Sequence, residues 1–316
     1  MKCKNNFFIF WKPQKQKLTI RKSLSYKIKC VFWKTLLGLR NVRKSNKKYN
    51  VTICGIFKNE SSYLKEWIEY HILIGVEHFY LYNNNSDDNF EEVTKKYIDD
   101  GVITLIEWTQ NQAQMQAYMD CIKKFSGEAE WIGFIDIDEF IVLKRENSMC
   151  TILQQYKNRG SILFYWKFFG SSGIINRDKN NLVIEDFVVA TDKYCNIGKC
   201  FYNTEFMFDF NSKRIKGLHH LLYTKYLIFE IPPIDQYDNF VIDAYCPIPK
   251  YDYEIQINHY AVKSFCEYKE RISKGDVYFK INPHHEQKFY EIDNLCLCRD
   301  DSIYKYIDEL KRILSK

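Results

Sequence analysis

An apolar run, Trp131-Ile132-Gly133-Phe134-Ile135, breaks off into Asp136-Ile137-Asp138-Glu139 and resumes as Phe140-Ile141-Val142-Leu143. The first run reads as a buried strand, so the acids fall at its carboxyl end. Strand alternation points Asp136 and Asp138 to the same side. Two carboxylates beside a core need a partner, because burying unpaired charge is costly. Mg²⁺ and Mn²⁺ take oxygen ligands and are often held by one or two carboxylates plus substrate phosphates. Asp136 and Asp138 are therefore candidate ligands of Mn²⁺ or Mg²⁺, and a metal held this way suits a nucleoside-diphosphate substrate. A bare Asp-x-Asp is often just a solvated turn; the apolar runs on both sides favour the metal.

The chain around this run alternates between two periodicities. Val51–Phe57, His78–Tyr82 and Val102–Ile106 read as strands. Between them Leu64, Trp67, Ile68, His71 and Ile72 mark one helix, with Asn59 as its cap and Gly75 as its stop. A second helix is expected over about 90–97, a third over about 112–125, and a last one over 302–314 with Ile303, Tyr306, Ile307 and Leu310 inward. This β-α-β-α-β-α-β order predicts an α/β fold with a mostly parallel sheet and helices on both faces. Ligands in such sheets bind at the carboxyl ends of the strands. Three strands end there in polar clusters: Lys58-Asn59-Glu60, Asn83 to Asp88, and Asp136-Ile137-Asp138. Beyond residue 150 the pattern loosens into a further strand at 161–166, a small-residue turn at Phe169-Gly170-Ser171-Ser172-Gly173, and a proline-rich loop containing Pro232, Pro233, Pro247 and Pro249.

Charge divides the chain in two. Residues 1–49 hold fifteen Lys/Arg and no acid, leaving 31 basic against 40 acidic residues in the rest. Within that basic stretch Leu24, Ile28, Val31, Phe32, Leu36 and Leu39 recur at helical spacing between Lys27, Lys29, Lys34 and Arg40. We therefore expect a basic amphipathic tail over 1–49 that attaches to an anionic membrane surface, and a catalytic domain over 50–316. No run reaches the roughly 20 apolar residues of a membrane-spanning helix. The acidic body argues against a nucleic-acid partner. Eleven cysteines without Cys-x-x-Cys pairs suit reduced thiols, so a cytoplasmic protein peripheral to the inner membrane face is expected.

The motifs resemble, in order and spacing, those of the family 92 glycosyltransferases and their bacterial relatives, enzymes of the GT-A nucleotide-sugar class. The matching segments are Cys54–Glu60, Tyr63–His71, Tyr82–Asp88, Gln114–Tyr118, Asp136–Phe140, Phe169–Gly173, His219-His220 and His259–Ser264. They span about residues 50–310, everything but the tail. One departure is Asn83, where the family carries an acid; the amide keeps an acceptor oxygen but loses the charge.

The resemblance implies a GT-A fold and metal-dependent, inverting transfer of a sugar from a nucleotide donor to a hydroxyl of a glycan or glycolipid acceptor, in surface polysaccharide or lipopolysaccharide assembly. It implies donor contacts at Lys58, Asn59, Glu60, Asn83, Asn85, Ser86, Gln114 and Asp136, with Lys263 near the diphosphate. His259 becomes the third metal ligand beside Asp136 and Asp138, with His219-His220 as competitors. The catalytic base falls on Glu185 or Asp186, with Glu185 preferred because the family keeps an acid there before an aromatic. A metal-dependent phosphohydrolase is the second enzymatic reading. It would need a denser Asp/His cluster for two metals.

Overall fold

The computed structural model describes residues 20–41, 45–111, 113–242, 253–274, 282 and 284–315. Helix α1 (Ile20–Gly38) precedes the alternating segment, which runs β1 (Tyr49–Phe57), α2 (Ser61–Leu73), β2 (His78–Asn83), α3 (Phe90–Asp99), β3 (Ile103–Glu107), α4 (Gln114–Phe125) and β4 (Ala129–Phe134). Then come β5 (Glu139–Leu143), α5 (Met149–Gln154), β6 (Ser161–Phe168), α6 (Val183–Asp186), β7 (Val189–Thr191) and β8 (Gly198–Asn203). A hairpin of β9 (Thr224–Tyr226) and β10 (Phe229–Ile231) follows, then β11 (Ile255–His259), α7 (Phe265–Lys274), α8 (Glu286–Asp293), β12 (Cys296–Arg299) and α9 (Ile307–Leu314).

The main sheet has the order β3-β2-β1-β4-β8-β6-β11-β5. Strands β3, β2, β1 and β4 are parallel, β8 runs against both β4 and β6, and β11 is parallel to β6. Alternation along β1 explains how the sheet feeds two cores. Val51, Ile53 and Phe57 pack with Leu64, Trp67 and Ile68 of α2, while Cys54 and Ile56 pack with Tyr118, Cys121 and Ile122 of α4. Each such fully buried aliphatic or aromatic side chain contributes about 1.5–3 kcal/mol. The expected α/β architecture, mostly parallel with helices on both faces, is the one observed.

Two details differ from expectation. The first apolar run ends as a strand before the acids, β4 stopping at Phe134 and β5 beginning at Glu139, and the acids lie in a turn closed by the Glu139 N–H donating to the Asp136 carbonyl at 3.1 Å. Alternation therefore does not govern Asp136 and Asp138. Asn59 does not cap α2. Glu60 occupies that position, and Asn59 holds a left-handed φ of 57° that Asn tolerates better than most residues. Gln112, residues 243–252 of the proline-rich loop with Pro247 and Pro249, and the first part of the basic tail lie outside the described residues.

The helical part of that tail is docked on the body. The Tyr26 hydroxyl donates to the Phe240 carbonyl at 2.6 Å, Trp33 Nε1 donates to the Glu230 carbonyl, and Leu37 is fully buried. Its face of contact is Tyr26, Cys30, Trp33 and Leu37. The Leu24, Ile28, Val31 and Leu39 stripe points the other way, into solvent.

Candidate active site

The carboxyl ends of β1, β2, β4, β6 and β11 and the start of β8 meet at one sheet edge. There the polar clusters after β1 and β2 grip each other. The Asn59 N–H donates to Ser86 Oγ at 3.0 Å, the Asp87 N–H donates to Asn59 Oδ1 at 2.8 Å, and the Ser61 N–H donates to Asp88 Oδ2 at 2.8 Å. Asn83 Oδ1 accepts from the Ser86 N–H, and its amide donates to Glu107 Oε2 at 2.8 Å. Asn85, also left-handed with φ 57°, donates to the Thr109 carbonyl. Lys58, Asn59, Glu60, Asn83, Asn85 and Ser86 are thus brought to one place. Glu107, the register partner of Asn83 on β3, supplies a carboxylate beside the amide.

Asp136 is held from three sides. Gln114 Nε2 and the Tyr118 hydroxyl, both on α4, donate to Oδ1 at 3.0 and 2.9 Å, and Lys199 Nζ lies 2.6 Å from Oδ2. Lys199 is fully buried on β8 and also lies 3.6 Å from Glu139 Oε1. Burial works against its charge, but the Asp136 and Glu139 carboxylates outweigh that and raise its pKa above the ordinary lysine value. Lys199 escaped the sequence reading. Its signal was a lone cation in the apolar segment Gly198-Lys199-Cys200-Phe201-Tyr202.

Asp138 turns to a different set of partners. Asp138, Glu139 and His259 each present a ligand atom, all within 4.8 Å of one another. Pairing of β5 with β11 places Glu139 opposite His259, and the Tyr260 N–H donates to the Asp138 carbonyl. Asp136 is not in this group. Burial opposes ionisation of Asp138, yet Arg271 Nη1 at 2.6 Å, followed by His259 and Lys263, holds its carboxyl well below the usual range. Two carboxylates and an imidazole suit Mn²⁺ or Mg²⁺, and His259 Nδ1 and Glu139 Oε1 are buried without hydrogen-bond partners. The residues therefore fit a cation. Glu139 and Arg271 were not anticipated. Lys263 is nearly buried, has φ 51°, and sets its ammonium 4.1 Å over the Tyr63 ring.

The His219 and His220 rings lie against each other, centroids 3.7 Å apart and planes tilted by 38°. Burial, with Lys199 close by, lowers both pKa values, that of His220 to about 3. His220 is tied through Nδ1 to the Gly198 carbonyl, and both lie outside the three-residue group. His285 caps α8 by accepting from the Lys288 N–H.

Glu185 and Asp186 sit on the single turn α6. Glu185 Oε1 pairs with Lys311 of α9 at 2.6 Å, and its carbonyl accepts from the Tyr304 hydroxyl. Asp186 accepts from Asn181 Nδ2 at 3.1 Å, and burial raises its carboxyl pKa. The turn is anchored by Glu66 of α2, whose two carboxylate oxygens accept from the Val183 and Ile184 N–H groups at 2.9 and 3.1 Å. Burial pushes Glu66 up to about 7 despite those bonds.

Among the described residues no helix is long and apolar enough to cross a membrane. Residues 47–264 match the family model of glycosyltransferase family 92. A glycosyltransferase family 92 protein of Ricinus communis is 31% identical over 155 residues, which is 45% of this chain and 27% of that protein. The galactan beta-1,4-galactosyltransferase GALS2 of Arabidopsis thaliana is 28% identical over 126 residues, 36% of this chain and 24% of its own. The beta-1,4-galactosyltransferase galt-1 of Caenorhabditis elegans is 31% identical over 108 residues, 30% of this chain and 25% of its own. The chain thus spans about a quarter of the length of these relatives. Their names give no support to the lipopolysaccharide setting expected from the sequence. Among solved structures, S. aureus TarS 1–349 in complex with UDP overlaps with a TM-score of 0.34 and 14% identity, over 49% of this chain and 47% of that one.

Proposed function

Since the chain belongs to glycosyltransferase family 92, we propose that it transfers a hexose, galactose first among the options, from a nucleotide-sugar donor to a hydroxyl of a glycan or glycolipid. The observation that carries this reading is the Asp138–Glu139–His259 group at the edge where the strand ends converge. These three residues would hold a divalent cation, which neutralises charge developing on a leaving diphosphate.

The chain's own groups supply the rest. The paired loops after β1 and β2 offer backbone and amide groups to a nucleoside, with Glu107 standing in for the acid missing at Asn83. Asp136, fixed by Gln114, Tyr118 and Lys199, is an oriented acceptor for sugar or ribose hydroxyls. Lys263 adds positive charge beside the diphosphate. The base takes the acceptor hydroxyl proton as the new bond forms on the face opposite the leaving group, giving inversion. Of the two acids on α6 we assign this to Asp186, whose raised pKa suits proton uptake, while Glu185 is already paired with Lys311. The basic N-terminal stretch holds the enzyme at the anionic inner face of a membrane.

A nucleotide-sugar hydrolysis screen with Mn²⁺ tests the reading, because many transferases slowly hydrolyse their own donor. Release of nucleotide from one donor, lost on addition of a chelator, supports it. Release of phosphate from simple phosphoesters instead would favour the phosphohydrolase. Against that, Asp138, Glu139 and His259 form the one such group of three among the described residues, which is few ligands for two metals.

A further inference from the structure

Helix α1 has two apolar faces, and only one of them is used. The inner face, Tyr26, Cys30, Trp33 and Leu37, is spent on the body. The outer stripe of Leu24, Ile28, Val31 and Leu39 is 58%, 62%, 66% and 80% exposed. At 100° per residue these four positions fall within about 80° of one another, with Lys27 along one border, beside Lys34 in its 3.3 Å pair with Asp238, and Lys29 along the other. A second element extends the stripe. The tip of the β9–β10 hairpin carries Leu227 and the 84%-exposed Ile228, and Phe229 meets Phe32 of α1 edge-on at 5.0 Å. An exposed apolar band rimmed by cations is unfavourable against water alone. It suits the boundary between lipid headgroups and acyl chains, where each flank finds its own environment.

We infer that the outer stripe of α1 and the tip of the β9–β10 hairpin form one surface that inserts into the interface of an anionic bilayer and holds the catalytic edge away from it. This rests on the membrane attachment proposed above and gives it a surface and an orientation. The orientation comes from what α1 touches. Asn158 Nδ2 donates to the Leu37 carbonyl, Arg40 donates to the Lys157 carbonyl, and Gly160 lies against Thr224 of the hairpin. All of these residues lie at the amino-terminal end of β6. Trp166 and Phe168, at its other end, pack against the His259 ring, centroids 4.7 and 4.9 Å away. The eight residues of β6 separate the two ends by about 25 Å at roughly 3.3 Å per residue. An acceptor hydroxyl attached directly to a lipid headgroup does not reach that far. The surface therefore selects the outer end of a glycan several sugars long, or a soluble glycan brought to the membrane.

The test is flotation of the full chain with vesicles of phosphatidylcholine alone and of phosphatidylcholine with phosphatidylglycerol. Binding to the mixed vesicles only, weakening with salt, is expected. The paired variant Ile28→Asp/Val31→Asp and the hairpin variant Leu227→Asp/Ile228→Asp should each lower partitioning at least about tenfold, the effect of withdrawing one buried aliphatic side chain. Both should keep the circular dichroism and donor hydrolysis of the parent. If the full chain floats with neither vesicle, membrane attachment itself fails. If it floats but both variants bind as well as the parent, attachment survives and the proposed surface does not. A dimer in light scattering that the Ile28→Asp/Val31→Asp variant dissociates would assign the stripe to a second copy and overturn the proposal. Donor hydrolysis reads out the catalytic assignment separately from all of these. For orientation, a lipid-linked monosaccharide should be a poorer acceptor than a longer lipid-linked oligosaccharide of the same terminal sugar; equal use of both would overturn it.

Discussion

The ammonium of Lys199, with no exposed surface, lies 2.6 Å from a carboxylate oxygen of Asp136. That pair fixes the first acid of the motif from beneath and leaves the second, Asp138, to other partners. Replacing Lys199 by Met would strand the fully buried Glu139 beside the partly exposed Asp136 without their shared cation. A loss of about 3–5 kcal/mol is expected in urea unfolding, the usual cost of removing one member of a buried pair. The double variant Lys199→Met/Asp136→Asn should recover part of it. A loss below about 1 kcal/mol in the single variant would mean that the lysine does not hold this charge in place.

Asp138→Asn and Glu139→Gln should each weaken Mn²⁺-dependent nucleotide binding by at least about tenfold in calorimetry, the lower range for disturbing metal ligands and their supports. Asp136→Asn should lower donor affinity while leaving the dependence on Mn²⁺ concentration near that of the parent. An unchanged response in Asp138→Asn would remove the cation assignment.

The two acids on α6 are separable by kinetics. Asp186→Asn should keep donor affinity and lower turnover by roughly 10²-fold or more, the typical share of a general base. Glu185→Gln breaks only a partly exposed pair with Lys311 and should cost less than about 1 kcal/mol of stability. The reverse pattern of turnover would return the role to Glu185.

Glu66 makes stability depend on pH in a definite direction. Its carboxyl is raised from 4.5 to about 7 in the folded chain. The folded state therefore holds a proton that the unfolded state releases. The associated stability is present below about pH 4.5 and is lost as pH rises through about 7. Glu66→Gln should remove that contribution, so that between about pH 4.5 and 7 the variant's stability falls less, or rises more, than the parent's. It should also loosen α6, since an amide offers one acceptor to two N–H donors. Parent and Glu66→Gln profiles of the same shape between those pH values would contradict the assignment; the parent alone does not decide it, because the lowered pKa values of buried His71, His219 and His220 make stability rise with pH in the same window.

The parts of the fold that were legible in the sequence are those governed by local periodicity. The β-α alternation through residue 134, the stop at Gly75, and the inward set Ile303, Tyr306, Ile307 and Leu310 all follow from spacing and burial. The break at the acids was legible, but not that the strand ends at Phe134 and leaves Asp136 and Asp138 in a turn, because an apolar run does not say where hydrogen bonding to β1 ends. Nor were Lys199, Arg271 and Glu107, whose roles depend on partners 63, 133 and 24 residues away. The outward stripe of α1 was visible as helical spacing, but its direction was not. Tyr26, Cys30, Trp33 and Leu37 form a competing face, and only the docked structure distinguishes the two.

The clasp between the loops after β1 and β2 bears on how donor choice can change. Asn59 both donates to Ser86 and accepts from Asp87, and Ser61 is tied to Asp88. A substitution on either loop therefore alters the shape of both. Transplanting one loop from a relative with another donor would bring half of an interlocked pair. Re-engineering donor preference, by selection or by hand, has to exchange residues 58–61 and 83–88 together, as one inherited block.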